Sequence, residues 1–172
     1  MAPDLALGRY RNLVSQPGWR ASIGGYYGYC AGDISESATT SARFTFSTRT
    51  WAAHAASATT FGRAQPGACV GDTTTYGYYL GGGGTPVVTA ERITFSTGTL
   101  AANAGSNLSG ARSNGGGISD GTTYGYAVAG YASGAATDLS DRITFSTSAT
   151  AAGNVLPAAR QDPIGLSDGA TY

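Results

Sequence analysis

The sequence predicts an all-β protein built from a repeat of about 49 residues. The first observation is the pentapeptide Arg-Ile-Thr-Phe-Ser at 92–96, which recurs at 142–146 and, as Arg-Phe-Thr-Phe-Ser, at 43–47. The second is a Tyr-Gly-Tyr marker that begins at Tyr27, Tyr76 and Tyr124. The third is a lone arginine before the next marker tyrosine, at Arg63, Arg112 and Arg160. Three independent markers with one period indicate repeated supersecondary units.

The sequence of each unit predicts four short strands. Ile93 and Phe95 alternate with polar residues, so they share one face of a strand while the polar side chains take the other. Asp120-Gly121 lies between two β-prone runs and predicts a two-residue type I′ hairpin turn. Residues 166–172 repeat this turn, and Asp72 begins a degenerate copy. The predicted strands lie, for example, at 115–119, 76–82, 92–96 and 99–104.

Composition excludes several classes of partner. The chain has 172 residues, with 27 glycines, and its ten arginines balance ten acidic residues without any lysine. Charged residues make up 12% of the chain, against about a quarter in an average domain. We therefore expect no nucleic-acid partner, because such partners require a broad basic surface. We also expect no membrane insertion, because no apolar run approaches the roughly 18 residues of a membrane span.

The inventory of catalytic side chains is small. One histidine, His54, and two cysteines cannot build the multi-histidine or tetrathiolate sites that metals commonly occupy. His54 lies in an alanine-rich run that predicts a solvated loop. Residues 81–84 are all glycine but lack the Lys-Ser/Thr of a phosphate-binding loop, so they predict a permissive turn. We expect neither catalysis nor a metal or cofactor.

The unit resembles a kelch blade, which also has four strands in about 50 residues. The matching features are the Gly81-Gly82 pair after the second strand, Thr48 three residues before Trp51, and Arg160 before the next first strand. The terse Arg-Ile-Thr-Phe-Ser signature is similar to kelch-like repeats of phage tail-fibre and virion surface proteins. This resemblance implies propeller blades and a non-enzymatic role at a virion surface or outside the cell. The implied roles are tail fibre, head fibre or capsid decoration.

The same resemblance implies the partners. They are other structural proteins of the same assembly and a host-surface glycan or receptor, and we also expect a homo-oligomer. The units run over 27–75, 76–123 and 124–171, whereas closed propellers need about four to eight blades. Three alternatives stay open: part of a longer array, several copies that complete a ring, or a pseudo-threefold β-prism or β-trefoil. The last would suit a stand-alone carbohydrate-binding lectin.

Residues 1–26 lie outside these units and are interpreted as an N-terminal arm or docking segment. Arg9, Arg11 and Arg20 lie between its apolar residues and could pair with carboxylates on a neighbouring subunit. The alternative is that this segment completes the sheet of an adjacent unit.

The recurring arginines are predicted to have structural roles, because a residue kept in every unit more often stabilises the unit than binds a ligand. Glu91 and Asp141 directly precede two of the signature arginines, so we expect ion pairs within or between blades. The alternative is a ring of anion-binding guanidiniums. The two sets are Arg43, Arg92 and Arg142, and Arg63, Arg112 and Arg160.

The chain is rich in tyrosine, a residue that suits both sugar stacking and protein interfaces. Tyr76 and Tyr78 share one strand face, so part of this set must pack in the core. We expect Tyr79 and Tyr131 to contact a ligand or partner, together with the variable loops 81–90 and 131–140. Cys30 and Cys69 align with residues that are mostly apolar and predict small buried thiols, while their redox state stays open.

Overall fold

The computed structural model describes residues 27–31, 39–61, 65 and 67–167. The predicted docking residues Arg9, Arg11 and Arg20, and the repeat residue Arg63, lie outside these ranges. The all-β prediction is confirmed: the described residues form antiparallel sheets and two short 3-10 turns, and they contain no α-helix. No helix in this part of the chain has the length and apolar character needed to cross a membrane.

The strands form three successive up-and-down sheets and one small hairpin. The first sheet contains β1 (Tyr27–Ala31), β2 (Ser41–Thr45) and β3 (Thr50–Ala53). The second contains β4 (Ala68–Gly71), β5 (Tyr76–Leu80), β6 (Ala90–Thr94) and β7 (Thr99–Ala102). The third contains β8 (Gly116–Ser119), β9 (Tyr124–Val128), β12 (Ser140–Thr144) and β13 (Ala149–Ala152). The 3-10 turns Ala55–Ser57 and Ala104–Ser106 follow the first two sheets, and the hairpin of β10 (Tyr131–Ala132) and β11 (Ala135–Ala136) is inserted in the third.

The register gives each sheet two chemically different faces. We call one of them the leading face. It carries the glycine of the Tyr-Gly-Tyr marker and the phenylalanine that follows the third strand of a complete sheet. In the second sheet these are Gly77 and Phe95, and a Cβ on Gly77 would lie 3.1 Å from the Phe95 ring. The trailing face carries the marker tyrosines and the signature arginine, because Tyr78 lies opposite Arg92. The equivalent trailing residues are Tyr27, Tyr29 and Arg43 in the first sheet and Tyr124, Tyr126 and Arg142 in the third.

Successive sheets pack with the trailing face of one on the leading face of the next. Tyr29 stacks on Phe95 with ring centroids 6.4 Å apart, and Tyr78 stacks on Phe145 at 5.9 Å. The hydrophobic core lies mainly between the second and third sheets, where Tyr78, Ile143 and Phe145 are buried. Among the described residues the sheets do not close into a barrel or a propeller.

The turn between the first two strands of a sheet differs from the prediction. Four residues separate β8 from β9, so the prediction of a two-residue type I′ turn is wrong. The Asp120 carboxylate accepts hydrogen bonds from the amides of Thr122, Thr123 and Tyr124 at 2.7–2.9 Å. Aspartate therefore shapes this turn by accepting main-chain hydrogen bonds, while Gly121 takes the left-handed conformation at φ 76°. Asp72 accepts equivalent hydrogen bonds in the second sheet.

The prediction of a buried thiol is wrong for Cys69, whose side chain is exposed. The register shows why: Val70 lies opposite Tyr78 as Ile118 lies opposite Tyr126, so Val70 is the true equivalent of Ile118. Cys69 therefore corresponds to a glycine, Gly117, and belongs to the opposite face of its strand from Val70. Cys30 lies in β1, opposite Ala42.

Candidate functional site

Each trailing face carries an arginine stacked over a tyrosine ring. The guanidinium carbon of Arg43 lies 4.2 Å from the ring centroid of Tyr27, and that of Arg92 lies 4.1 Å from Tyr76. Arg142 repeats the contact with Tyr124 at 4.7 Å. Such cation–π contacts contribute about 0.5–1 kcal/mol at exposed sites. The signature arginines therefore contact the marker tyrosines, and Asp141 pairs with a different arginine, Arg112.

At the junction between the second and third sheets, Ser148 connects the two. Its hydroxyl lies 2.8 Å from the Tyr78 hydroxyl and accepts a hydrogen bond of 2.9 Å from Arg92 Nη1. Ser148 lies in the turn between β12 and β13 and has a left-handed φ of 54°. Burial raises the pKa of Tyr78, and the hydrogen bond to Ser148 opposes that rise only in part. The neutral phenol is thus the form held at this junction.

At the junction between the first and second sheets, Gly98 takes the place of Ser148. Gly98 has a φ of 68°, and a Cβ there would lie 2.7 Å from His54 Cε1. His54 Nε2 lies 3.2 Å from Arg43 Nη1, and its Nδ1 lies 3.0 Å from Ser57 Oγ. His54 lies in the short loop after β3, as predicted, but it is half-buried and hydrogen-bonded at a sheet junction, so the prediction that it is solvated is wrong.

A buried ion pair makes a second connection between the second and third sheets. Arg112, in the linker after β7, lies 2.7 Å from Asp141 of β12, and the two side chains are 2% and 0% exposed. Arg112 Nη2 also donates to the Ala127 carbonyl oxygen at 3.0 Å, and Asp141 accepts from the Ser109 amide. At the preceding junction, Glu91 accepts a hydrogen bond from the Thr60 amide.

The other lone arginine in the described residues has a different environment. The Arg160 side chain is exposed, and the residue bonds through its main chain: its amide donates to the Thr137 carbonyl oxygen and its carbonyl oxygen accepts from Gly130. The repeated arginine of the sequence therefore has one side-chain environment at Arg112 and another at Arg160.

A groove of about 410 Å³ lies between the first two sheets and extends to β8. Tyr27, Tyr29 and Tyr79 contribute aromatic rings to its lining, and Gly71 and Gly77 contribute main chain without a side chain. Cys69 and Ser119 add polar atoms to the lining. Tyrosine rings with hydroxyls at their edges can stack on a sugar and also hydrogen-bond it. The groove is therefore a candidate ligand site among the described residues.

The two tyrosines predicted to contact a ligand lie in different places. Tyr79 is half-buried and lines the groove. Tyr131 lies in β10, is absent from the groove lining, and exchanges main-chain hydrogen bonds of 2.7 and 3.0 Å with Ser113. The structure therefore does not bring Tyr79 and Tyr131 into one site.

Sequence reasoning missed an exposed aromatic cluster on the leading face of the first sheet. Phe46 is 55% exposed and Trp51 is 60% exposed, and both rings lie about 5 Å from the Phe44 ring. Their equivalents are covered: Phe145 is 3% exposed and Leu100 is 8% exposed. The signal available in the sequence was the large Trp51 at a position that holds leucine or threonine in later units.

The described residues contain no group of three or more His, Cys, Asp and Glu side chains that could hold a metal ion. Neither a protein-family model nor a curated protein sequence matches this chain. The kelch-like resemblance therefore stays a prediction.

Proposed function

We propose that this chain is a non-enzymatic structural and interaction module of a surface assembly, such as a virion fibre or capsid decoration. The observation that carries the proposal is the use made of its buried polar groups. Arg112, Asp141 and Ser148 are buried, and each bonds across the junction between successive sheets. A protein that uses its buried charges to join repeats is suited to a structural role.

The kelch-like blade is part of the same proposal. Two successive four-stranded up-and-down sheets, with the same strand order and the same face-to-face packing, support it. The sheet order alone does not specify a ring. A propeller would require further blades, from a longer array of which these residues are part or from additional copies.

For the binding role, we propose that a host-surface glycan occupies the groove lined by Tyr27, Tyr29 and Tyr79. This groove also favours the second candidate function, a stand-alone carbohydrate-binding lectin. The two functions differ in where the protein resides: a module of an assembly is recovered with the particle, and a lectin is recovered alone.

Two measurements test these functions. Mass spectrometry of purified particles from the source of the chain should find it in stoichiometric amount, and its absence from particles would favour the lectin. On a glycan array, Tyr79→Ala should lower the affinity for whichever sugar the wild type binds at least tenfold, whereas Tyr131→Ala should leave that affinity unchanged. Loss of binding with Tyr131→Ala alone would move the ligand to the β10–β11 hairpin. Measurable turnover of a substrate by the purified protein would contradict the non-enzymatic role.

A further inference from the structure

We propose that the leading face of the first sheet in one copy docks on the trailing face of the third sheet in a second copy. The partner is therefore another molecule of the same chain, bound head to tail. This inference concerns the outer faces of the end sheets and does not depend on the glycan or the virion.

The docking would repeat a contact that the chain already makes twice. At each internal junction, a marker tyrosine of the trailing face stacks on the phenylalanine of the next leading face, as in Tyr29–Phe95 and Tyr78–Phe145. Tyr126 is the third equivalent tyrosine, because it lies opposite Arg142 as Tyr78 lies opposite Arg92. Phe46 is the third equivalent phenylalanine and packs on Gly28 as Phe95 packs on Gly77. The new interface would therefore contain a Tyr126–Phe46 stack.

The leading face of the first sheet has the apolar surface that such a contact requires. Phe46 and Trp51 are 55% and 60% exposed, while the equivalent Phe145 is covered by the preceding sheet and is 3% exposed. A contiguous aromatic patch of this kind is typical of an interaction site. Covering it with the tyrosines of a trailing face would give it the environment of its equivalents.

Residues 163–167 cover the β8 end of the trailing face of the third sheet, because a Cβ on Gly116 would lie 3.0 Å from the Pro163 carbonyl oxygen and one on Gly165 would meet Gly117. The rest of this face is open among the described residues. The Arg142 side chain is exposed, whereas Arg92 is half-buried and donates to Ser148 of the next sheet. Val155, in the linker after β13, is 64% exposed. Gly105, at the matching place after β7, lies against the next sheet, where a Cβ would be 3.2 Å from the Ser148 carbonyl oxygen. Arg142 and Val155 thus mark the part of this face that no described residue covers.

Side-chain size gives an independent argument for this pairing. His54, Asn103 and Gly153 are equivalent, since their amides donate to the carbonyl oxygens of Ser41, Ala90 and Ser140 respectively. His54 contacts Gly98, the left-handed turn residue of the next sheet. A Cβ on Gly105 would lie 3.5 Å from Asn103 Oδ1 and 3.2 Å from the Ser148 carbonyl oxygen, which places Asn103 beside the turn residue of the third sheet. The first junction therefore combines histidine with glycine, and the second combines asparagine with Ser148.

The end faces complete this series. The left-handed turn residue of the first sheet is Arg49, with a φ of 58°, and it is exposed. A large arginine would not fit beside a histidine, but the third sheet offers Gly153 at that position. The smallest residue on one end face thus matches the largest on the other. Such complementary sizes are what a specific contact between the two end faces requires.

The number of copies is part of the proposal. A head-to-tail interface either closes into a ring or continues as a filament. The described part of two copies supplies six sheets, which lies within the range of about four to eight blades that closes a propeller. For the chain of 172 residues we therefore expect a closed dimer.

Sedimentation velocity and native mass spectrometry of the full chain test the proposal. The wild type should have the mass of two chains of 17.3 kDa. Phe46→Asp should raise the dissociation constant at least tenfold, because a carboxylate would face the Tyr126 ring. Ala101→Asp is the matched control, since Ala101 is exposed on β7 of the second sheet and lies on neither end sheet.

A size-exchange pair separates a docking effect from a folding effect. Gly153→His should dissociate the dimer because the new side chain would meet Arg49 of the second copy. A Cβ at this position would also meet the Ser140 hydroxyl of its own sheet, so the circular dichroism of the variant is measured beside its mass. Adding Arg49→Gly should restore the dimer, since the pair would then reproduce the His54–Gly98 combination of the first junction. A wild-type monomer, a filament, or a dimer that Phe46→Asp leaves intact overturns the proposal. So does a Gly153→His variant that stays folded by circular dichroism but whose dimer Arg49→Gly does not restore.

Discussion

Among changes of a single residue, loss of the ion pair between Arg112 and Asp141 should lower the free energy of unfolding the most. Both side chains are buried, so removing one leaves the other charge without its partner in a poorly solvated site. Arg112→Met should lower the free energy of unfolding by about 3–5 kcal/mol in urea denaturation. Arg160→Met is the matched control, because the Arg160 side chain is exposed, and it should change stability by less than about 0.5 kcal/mol. Equal effects of the two variants would contradict the role assigned to this pair.

Gly117 allows two strands of successive sheets to approach closely. A Cβ at this position would overlap the carbonyl oxygen of Cys69 in β4, a main-chain atom that cannot rotate away. Gly117→Ala should therefore destabilise the protein by about 1–3 kcal/mol, the usual cost of overpacking. Gly110→Ala is the control, because its Cβ would only reach a Leu139 methyl at 3.6 Å. Thermal unfolding midpoints of both variants check this, and a Gly117→Ala protein as stable as wild type would refute it.

The sequence predicted which arginines recur but could not predict their partners. Arg112 and Asp141 are 29 residues apart, and only the packing of the third sheet on its linker joins them. The contact of Arg92 with Ser148 likewise crosses from one sheet to the next. The prediction placed the acidic partners beside the signature arginines in sequence, yet adjacent residues of a strand point to opposite faces.

The β4–β5 and β8–β9 turns each depend on one carboxylate, and Asp120 makes the second of these turns sensitive to pH. Partial desolvation raises its pKa, but the hydrogen bonds from the amides of Thr122, Tyr124 and Thr123 together outweigh that effect. The folded pKa therefore lies below the ordinary value of 3.8. A depressed pKa means that the turn's contribution is present above the unfolded-state pKa and is lost as pH falls through the lower folded pKa.

Asp120→Asn should remove this dependence, since an amide does not titrate. At neutral pH the variant should be less stable than wild type, and the difference should shrink as the pH falls below about 4, the ordinary aspartate pKa. Thermal unfolding midpoints measured across this acid range check the expectation. A difference between the two proteins that stays constant down to the lowest pH would show that the carboxylate charge is not what stabilises the turn.

Most strands could be predicted because alternation and turn residues are local signals. The predicted 115–119 corresponds to β8, whereas the predicted 99–104 overruns β7, which ends at Ala102 before the 3-10 turn Ala104–Ser106. The hairpin of β10 and β11 was missed because its two-residue strands leave no alternation to detect. A fourth marker was also overlooked: Gln16-Pro17-Gly18 returns 49 residues later as Gln65-Pro66-Gly67. The repeat therefore begins earlier in the sequence than residue 27.

For the whole molecule, the proposed dimer makes a prediction about salt. The proposed contact would be stabilised by aromatic stacking and by complementary shape. The charged residues assigned to it are Arg49 and Arg142. Salt screens exposed like charges and does not weaken apolar contacts. The dimer mass should therefore persist from low salt to about 1 M NaCl, where the Debye length is about 3 Å. Dissociation at high salt in sedimentation velocity would indicate an ionic contact and a different surface.

The candidate site could be predicted less well than the fold. Tyr79 was selected for its density of aromatic neighbours in sequence, and the structure places it in the groove. The same reasoning selected Tyr131, which lies elsewhere, because membership in one groove depends on how separate sheets pack. The exposure of Phe46 and Trp51 could not be predicted, since their equivalents in later units are covered.

The repeated tyrosine–phenylalanine stack also has an evolutionary consequence. Because each sheet meets its neighbours through the same two faces, a recombination event that inserts or removes one whole period recreates the tyrosine–phenylalanine stack at the new junction. Chain length can then drift in steps of about 49 residues. The size-matched pairs, such as His54 with Gly98, are the contacts that would have to readjust after each such event.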